Sequence, residues 1–134
     1  PIFQDLLTRT AESADAALRD FDLQGCLLTI KDFVDAVNLY VTEQEPWAVA
    51  KDPANTARLG TILYTVLESL RAIAALYAAV MPKATAQMWS ELGGQASGLT
   101  LSLHGVGRWG QLKPGVAIVK GESLFPRIEE PEAI

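Results

Sequence analysis

Residues 52–80 read DPANTARLGTILYTVLESLRAIAALYAAV. Leu59, Ile62, Leu63, Val66, Leu67, Leu70, Ile73, Ala74, Tyr77 and Val80 recur at helical spacing and form one wide apolar face. Asp52 can cap such a helix, and Pro53 suits its first position. Over 53–80, at about 1.5 Å per residue, the helix spans on the order of 40 Å and is the expected spine of the fold. Glu68 and Arg71 stand three apart and are expected to pair on its wet side, a weak effect.

The same periodicity runs outward in both directions. A helix is predicted over 2–19, with Phe3, Leu6, Thr10, Ala14, Ala17 and Phe21 in one stripe, widened by Leu7 and Leu18. Asp20-Phe21-Asp22 reads as a turn and a cap. A second helix over 23–44 carries Leu23, Leu27, Ile30, Val34, Val37 and Val41, broadened by Cys26, Phe33 and Tyr40. Gly25 would permit a close crossing with a neighbouring helix. Pro46 ends this helix, because it lacks a donor and restricts Glu45. On the other side of the spine, Met81-Pro82 breaks it, and a shorter helix follows over 82–92 with Thr85, Met88, Trp89 and Leu92 inward. Gly93-Gly94 stops it. Glycine crowds the chain beyond that point. Ala117-Ile118-Val119 is read as a very short strand, and Leu124-Phe125-Pro126-Arg127-Ile128 as a tail anchored against another surface. The reading is an all-α antiparallel helical bundle over 1–92 with an irregular C-terminal extension over 93–134.

Composition bounds the function. The chain has 134 residues, 49% apolar and 20% charged, enough for one domain with a modest core. A net charge of -5 opposes a broad nucleic-acid-coating surface but permits a small local site. No run reaches the roughly 18 uninterrupted apolar residues of a membrane span; Arg71 interrupts the nearest, 70–81. Cys26 is the sole cysteine and His104 the sole histidine, so a zinc site built on several such ligands is excluded. Cys26 reads as a core residue, His104 as a surface or packing residue, and Glu129-Glu130 as a solvated pair. Gly105-Val106-Gly107 lacks the remaining glycine and the strand-to-helix setting of a phosphate loop. No catalytic residue is assigned.

The candidate binding surface lies between the second helix and the spine. Trp47 follows the rigid Pro46 on a connection, where an indole either plugs the end of a bundle or stands as a platform for a partner. Lys51 lies one turn on if the segment is helical and can answer a phosphate. Asn38, on the polar edge of the second helix, can read a base edge or hold the connection's backbone; the second role is favoured. Trp89 reads as core, and Trp109 as a cover where the tail turns back or as a contact to another domain.

The run from Asn38 through Tyr40, Glu45-Pro46-Trp47 and Lys51 resembles the anticodon-binding domain of methionyl-tRNA synthetase. Met81-Pro82, Met88-Trp89 and Phe125-Pro126-Arg127 extend the resemblance over essentially the whole chain. It implies that Trp47 stacks on the cytosine of a CAU anticodon, that Pro46 shapes the contact, and that Asn38 and Lys51 support it. The family's other anticodon-reading Asn and Arg come from a preceding helix with no counterpart here, so weak RNA binding in isolation is expected. The resemblance further implies a methionine-tRNA ligase that is cytoplasmic and monomeric. Its upstream catalytic domain uses ATP with magnesium, the extension over 93–134 returns toward that domain, and its partner is the tRNA for methionine. No cofactor is expected in this segment, and the start at Pro1 reads as a cut edge. The competing reading is a non-catalytic helical protein-interaction module.

Overall fold

The computed structural model describes residues 2–94 and 103–129, apart from the side chain of His104. The readings of His104 and Glu130 therefore fall outside it. Among the described residues there is no strand; helix α1 is Ile2–Arg19, α2 Leu23–Gln44, α3 Pro46–Val49, α4 Thr56–Tyr77, α5 Pro82–Glu91 and α6 Leu103–Val106. A 3-10 turn, Pro53–Asn55, leads into α4. The four long helices, α1, α2, α4 and α5, form the all-α bundle that the apolar spacing predicts.

Local chemistry explains the boundaries. At the end of α1 Phe21 turns left-handed, with φ of 58°, and the Asp22 amide donates to the Ala17 carbonyl at 2.8 Å. Asp22 then caps α2, its Oδ1 accepting from the Gly25 amide at 2.8 Å. A Cβ on Gly25 would collide with that carboxylate, so the glycine makes room for the cap and not for a crossing helix. Phe3 meets Tyr40 and Phe33 edge to face, at centroid distances of 5.0 and 6.4 Å, so α2 runs back along α1. Asp52 accepts from the Ala54 amide at 2.9 Å and starts the next segment as predicted. Gly93, with φ of 80°, stops the chain after α5, and the Gly94 amide donates to the Trp89 carbonyl at 3.0 Å.

Leu7, Ala14, Ile30, Phe33, Val37, Ala72 and Leu76 form the core. Cys26 is buried beside them, as expected, and burial pushes its thiol pKa up, with the Asp22 charge acting in the same direction. Thr85 and Leu92 of the α5 region are buried, and Met88 and Trp89 are half-buried. Five expected stripe members are exposed instead: Leu18, Phe21 and Leu23 around the α1–α2 turn, which carries them past the end of the bundle, and Leu63 and Val80 of the spine's expected face. Pro53–Tyr77 is long and apolar enough to pass for a membrane span by length and composition, but half of the qualifying window is buried inside this bundle.

The wet-side pair predicted on the spine is the main correction. Glu68 is 0% and Arg71 4% exposed. Arg71 donates from Nε to Glu68 Oε1 at 2.9 Å, and its Nη2 lies 2.8 Å from the same oxygen. Glu68 also accepts three backbone amides of the extension, those of Gly110 at 2.8, Gln111 at 3.1 and Leu112 at 2.8 Å. Arg71 Nη2 donates to the Arg108 carbonyl at 3.1 Å. A buried charge persists where it is paired and hydrogen-bonded. The helical periodicity gave α4 a polar side; the returning chain covers it.

The rest of the extension follows that clasp. The short α6 was not predicted, and its Val106 is 1% exposed. Trp109 packs on the core, as a cover where the tail turns back. Residues 117–119 form no strand; their one regular tie is the Val119 amide donating to the Glu91 carbonyl at 2.9 Å. Gln87 Nε2 donates to the Glu122 carbonyl at 3.0 Å and Leu124 is half-buried, whereas Phe125 and Ile128 are exposed.

Candidate nucleic-acid interface

The α2–α3 junction turns on one residue. Glu45 adopts φ 45° and ψ 59°, closing α2 and opening α3 together. Its amide donates to the Val41 carbonyl at 3.1 Å, and its own carbonyl accepts from Ala48 at 2.8 and Val49 at 3.1 Å. Pro46 then occupies the first position of α3, where its fixed φ is pre-organised and its missing donor costs nothing. The segment that the sequence presents as a connection is thus a single helical turn.

That turn decides the fate of the indole. Val49 is buried, and the turn that carries it packs against α4. Residues two apart on a helix point about 200° from each other. With Val49 inward, Trp47 faces out, and it is 57% exposed. Of the two roles open to Trp47 in the sequence, the plug belongs to Val49, and the indole stands in solvent.

The remaining candidates are placed as follows. The turn continues as far as Lys51, whose amide donates to the Ala48 carbonyl at 3.2 Å, and the lysine is exposed. Asn38 is exposed on α2, fewer than two turns before its end. Its carbonyl accepts from Thr42 Oγ1 at 3.1 Å. Among the described residues its amide makes no bond to the connection, so the favoured supporting role finds no contact here. Arg58 at the start of α4 reaches Gln44 at 3.5 Å and ties the ends of the two helices together. Sequence reasoning missed Val49 and Glu45. An apolar residue two places after an exposed aromatic was a usable signal for the first; nothing in a Glu-Pro pair announces the second. Among the described residues no group of three or more His, Cys, Asp or Glu is placed to hold a metal ion.

A sequence model of the family described as the anticodon binding domain of methionyl tRNA ligase matches residues 2–133. The chain belongs to that family. It is 45% identical to the methionine–tRNA ligase of Streptomyces coelicolor, over 96% of this chain and 25% of that protein. It is 33% identical to the enzyme of Bacillus subtilis, over 98% of this chain and 20% of that one. Its fold superposes on the free methionyl-tRNA synthetase of Mycobacterium tuberculosis with a TM-score of 0.72 and 29% identity, covering 98% of this chain and 27% of that one. The chain thus spans about a fifth to a quarter of the length of these relatives. The all-α architecture and the anticodon-binding family agree with the resemblance carried by Pro46-Trp47, Met81-Pro82 and Phe125-Pro126-Arg127.

Proposed function

We propose that this chain is the anticodon-reading part of a methionine-tRNA ligase, with Trp47 stacking on the cytosine of an opened CAU anticodon. The exposed indole on a proline-fixed helical turn carries this reading. Its ring is held before the RNA arrives, so little conformational entropy is lost on stacking. Pro46 fixes the approach, Lys51 answers a neighbouring phosphate, and the free amide of Asn38 is available to a base edge. Stacking accepts any base, so selectivity for cytosine comes from hydrogen bonds, some of them from a helix outside this chain.

On this reading residues 1–92 form the reader, and 93–134 lead toward the catalytic domain of the same ligase. The exposed Phe125 and Ile128 suit contact with that domain. ATP and magnesium serve the catalytic domain, which activates methionine; no residue of this chain is assigned to hold either. The enzyme is taken to act as a cytoplasmic monomer on the tRNA for methionine.

Trp47→Ala in the complete ligase tests the reading. Loss of one stacked base, about 1–3 kcal/mol, predicts a roughly 5- to 150-fold fall in kcat/KM for charging tRNA with a CAU anticodon. Methionine-dependent ATP–pyrophosphate exchange stays at the wild-type rate. Equal loss of both activities would instead mean structural damage, and normal charging would reject the stacking role.

A further inference from the structure

The buried charge cluster on α4 has no part in holding a base. It consists of Glu68 and Arg71, closed over by residues 108–112. We propose that Glu68 and Arg71 are positioning residues for ligation: they lock this strap at a fixed distance from Trp47, so that charging depends on them although neither touches RNA. The proposal rests on the anticodon reading of Trp47 above.

The physical path is continuous. Trp47 sits on α3, which packs against α4 and whose Val49 is buried. Helix α4 then runs about 18 Å from its first residue to Glu68. There the carboxylate receives the Gly110, Gln111 and Leu112 amides, and Arg71 holds the Arg108 carbonyl. Tyr64, one turn earlier on α4, donates its hydroxyl to the Leu112 carbonyl at 2.9 Å. Trp109 drives between these bonds onto the core. Beyond the strap the chain carries Val116, Ile118 and Val119 into solvent.

The choice of chemistry argues for register. A buried ion pair contributes little that a well-packed apolar pair would not, and such replacements are often neutral or stabilising. Apolar contacts are non-directional, however, and tolerate sliding. Four backbone groups bound to two fixed side chains admit one register only. The cluster therefore defines where the strap lies, and with it the apolar edge that follows.

The test compares three forms of the complete ligase with wild type: Glu68→Gln, the double change Glu68→Met with Arg71→Met, and Trp47→Ala. The Met pair removes both charges together, so that no buried charge is orphaned if the Gln variant folds poorly. In both Glu68 variants the amides of Gly110, Gln111 and Leu112 should lose protection from hydrogen exchange. A misplacement of about 1 Å costs on the order of a hundredfold, so charging kcat should fall roughly 10- to 100-fold. KM for tRNA should stay within about twofold of wild type, since binding groups are untouched. Methionine activation should hold. Retained amide protection, or lost protection with normal kcat, overturns the proposal. So does equal loss of activation and charging. Trp47→Ala separates the two readings: if it charges normally, the anticodon assignment fails, whereas a defective Trp47→Ala beside normal Glu68 variants sinks the clasp alone.

Discussion

The turn at 45–49 and the clasp at Glu68 lie at two points of the same scaffold, yet one displays an indole and the other hides a carboxylate. Solvation preferences alone would reverse them. At the turn, a single helical revolution offers one inward direction, and Val49 takes it, which leaves Trp47 57% exposed. At the clasp, α4 packs on α2 and α5, and the returning strap closes the side that remains. The strap brings backbone amides and not apolar side chains, so a carboxylate is the group that satisfies it. Exposure follows from what the neighbouring chain delivers to a position, and the residue's own polarity only decides whether that delivery is tolerated.

The largest expected effect breaks the buried half of this comparison. Glu68→Ala orphans the Arg71 guanidinium and three strap amides at once. Loss of one partner of a buried pair costs about 3–5 kcal/mol. Urea unfolding followed by circular dichroism should show a stability loss of that size. A loss comparable to that of an exposed pair such as Arg19–Asp15 would mean that the clasp is open to water in solution.

The exposed half predicts an inversion of size. Val49→Ala removes two buried methyl equivalents and should cost about 1–2 kcal/mol. Trp47→Ala removes a far larger side chain, yet it should alter stability by no more than about 0.5 kcal/mol. Unfolding curves of the two variants decide it. If Trp47→Ala is the more damaging, the indole is part of the bundle and its role as a platform is lost.

Much of the fold was legible because it depends on spacing. The limits of α1 and α2, the Asp22 and Asp52 caps, the break at Met81-Pro82 and the glycine stop all follow from local chemistry within a few residues. The misreadings arose where distant chain intervenes. Glu68 and Arg71 looked wet because a single helix always has a polar side; the strap that covers them comes from some 40 residues later. Residues 117–119 looked like a strand because all three are apolar and Ile118 and Val119 are β-branched, but no second strand is present among the described residues to pair with them. At the candidate site, sequence named Trp47, Pro46 and Lys51 through chemistry and proximity, and the structure gives their positions on one helical turn. It left the direction of the indole open, since that was set by the conformation of Glu45.

Glu45 provides the finest adjustment. A non-glycine residue in the left-handed region costs about 1–2 kcal/mol, and the Glu45 side chain makes no capping hydrogen bond to α3 in return. Glu45→Gly removes that cost but gives the unfolded chain more freedom, which returns roughly 0.5–1 kcal/mol. The net expectation is a gain of about 0.5 kcal/mol in urea unfolding, opposite in sign to the losses expected of Glu68→Ala and Val49→Ala. Charging by the complete ligase should not improve with it, because glycine also lets the turn that carries Trp47 relax toward other angles. Higher stability with unchanged or weaker charging would identify the left-handed glutamate as the element that aims the indole. A drop in stability of about 1 kcal/mol or more would show instead that its side chain helps to hold the two helices together, and the exposed turn would then resemble the clasp in being fixed by side-chain contacts and not by backbone geometry.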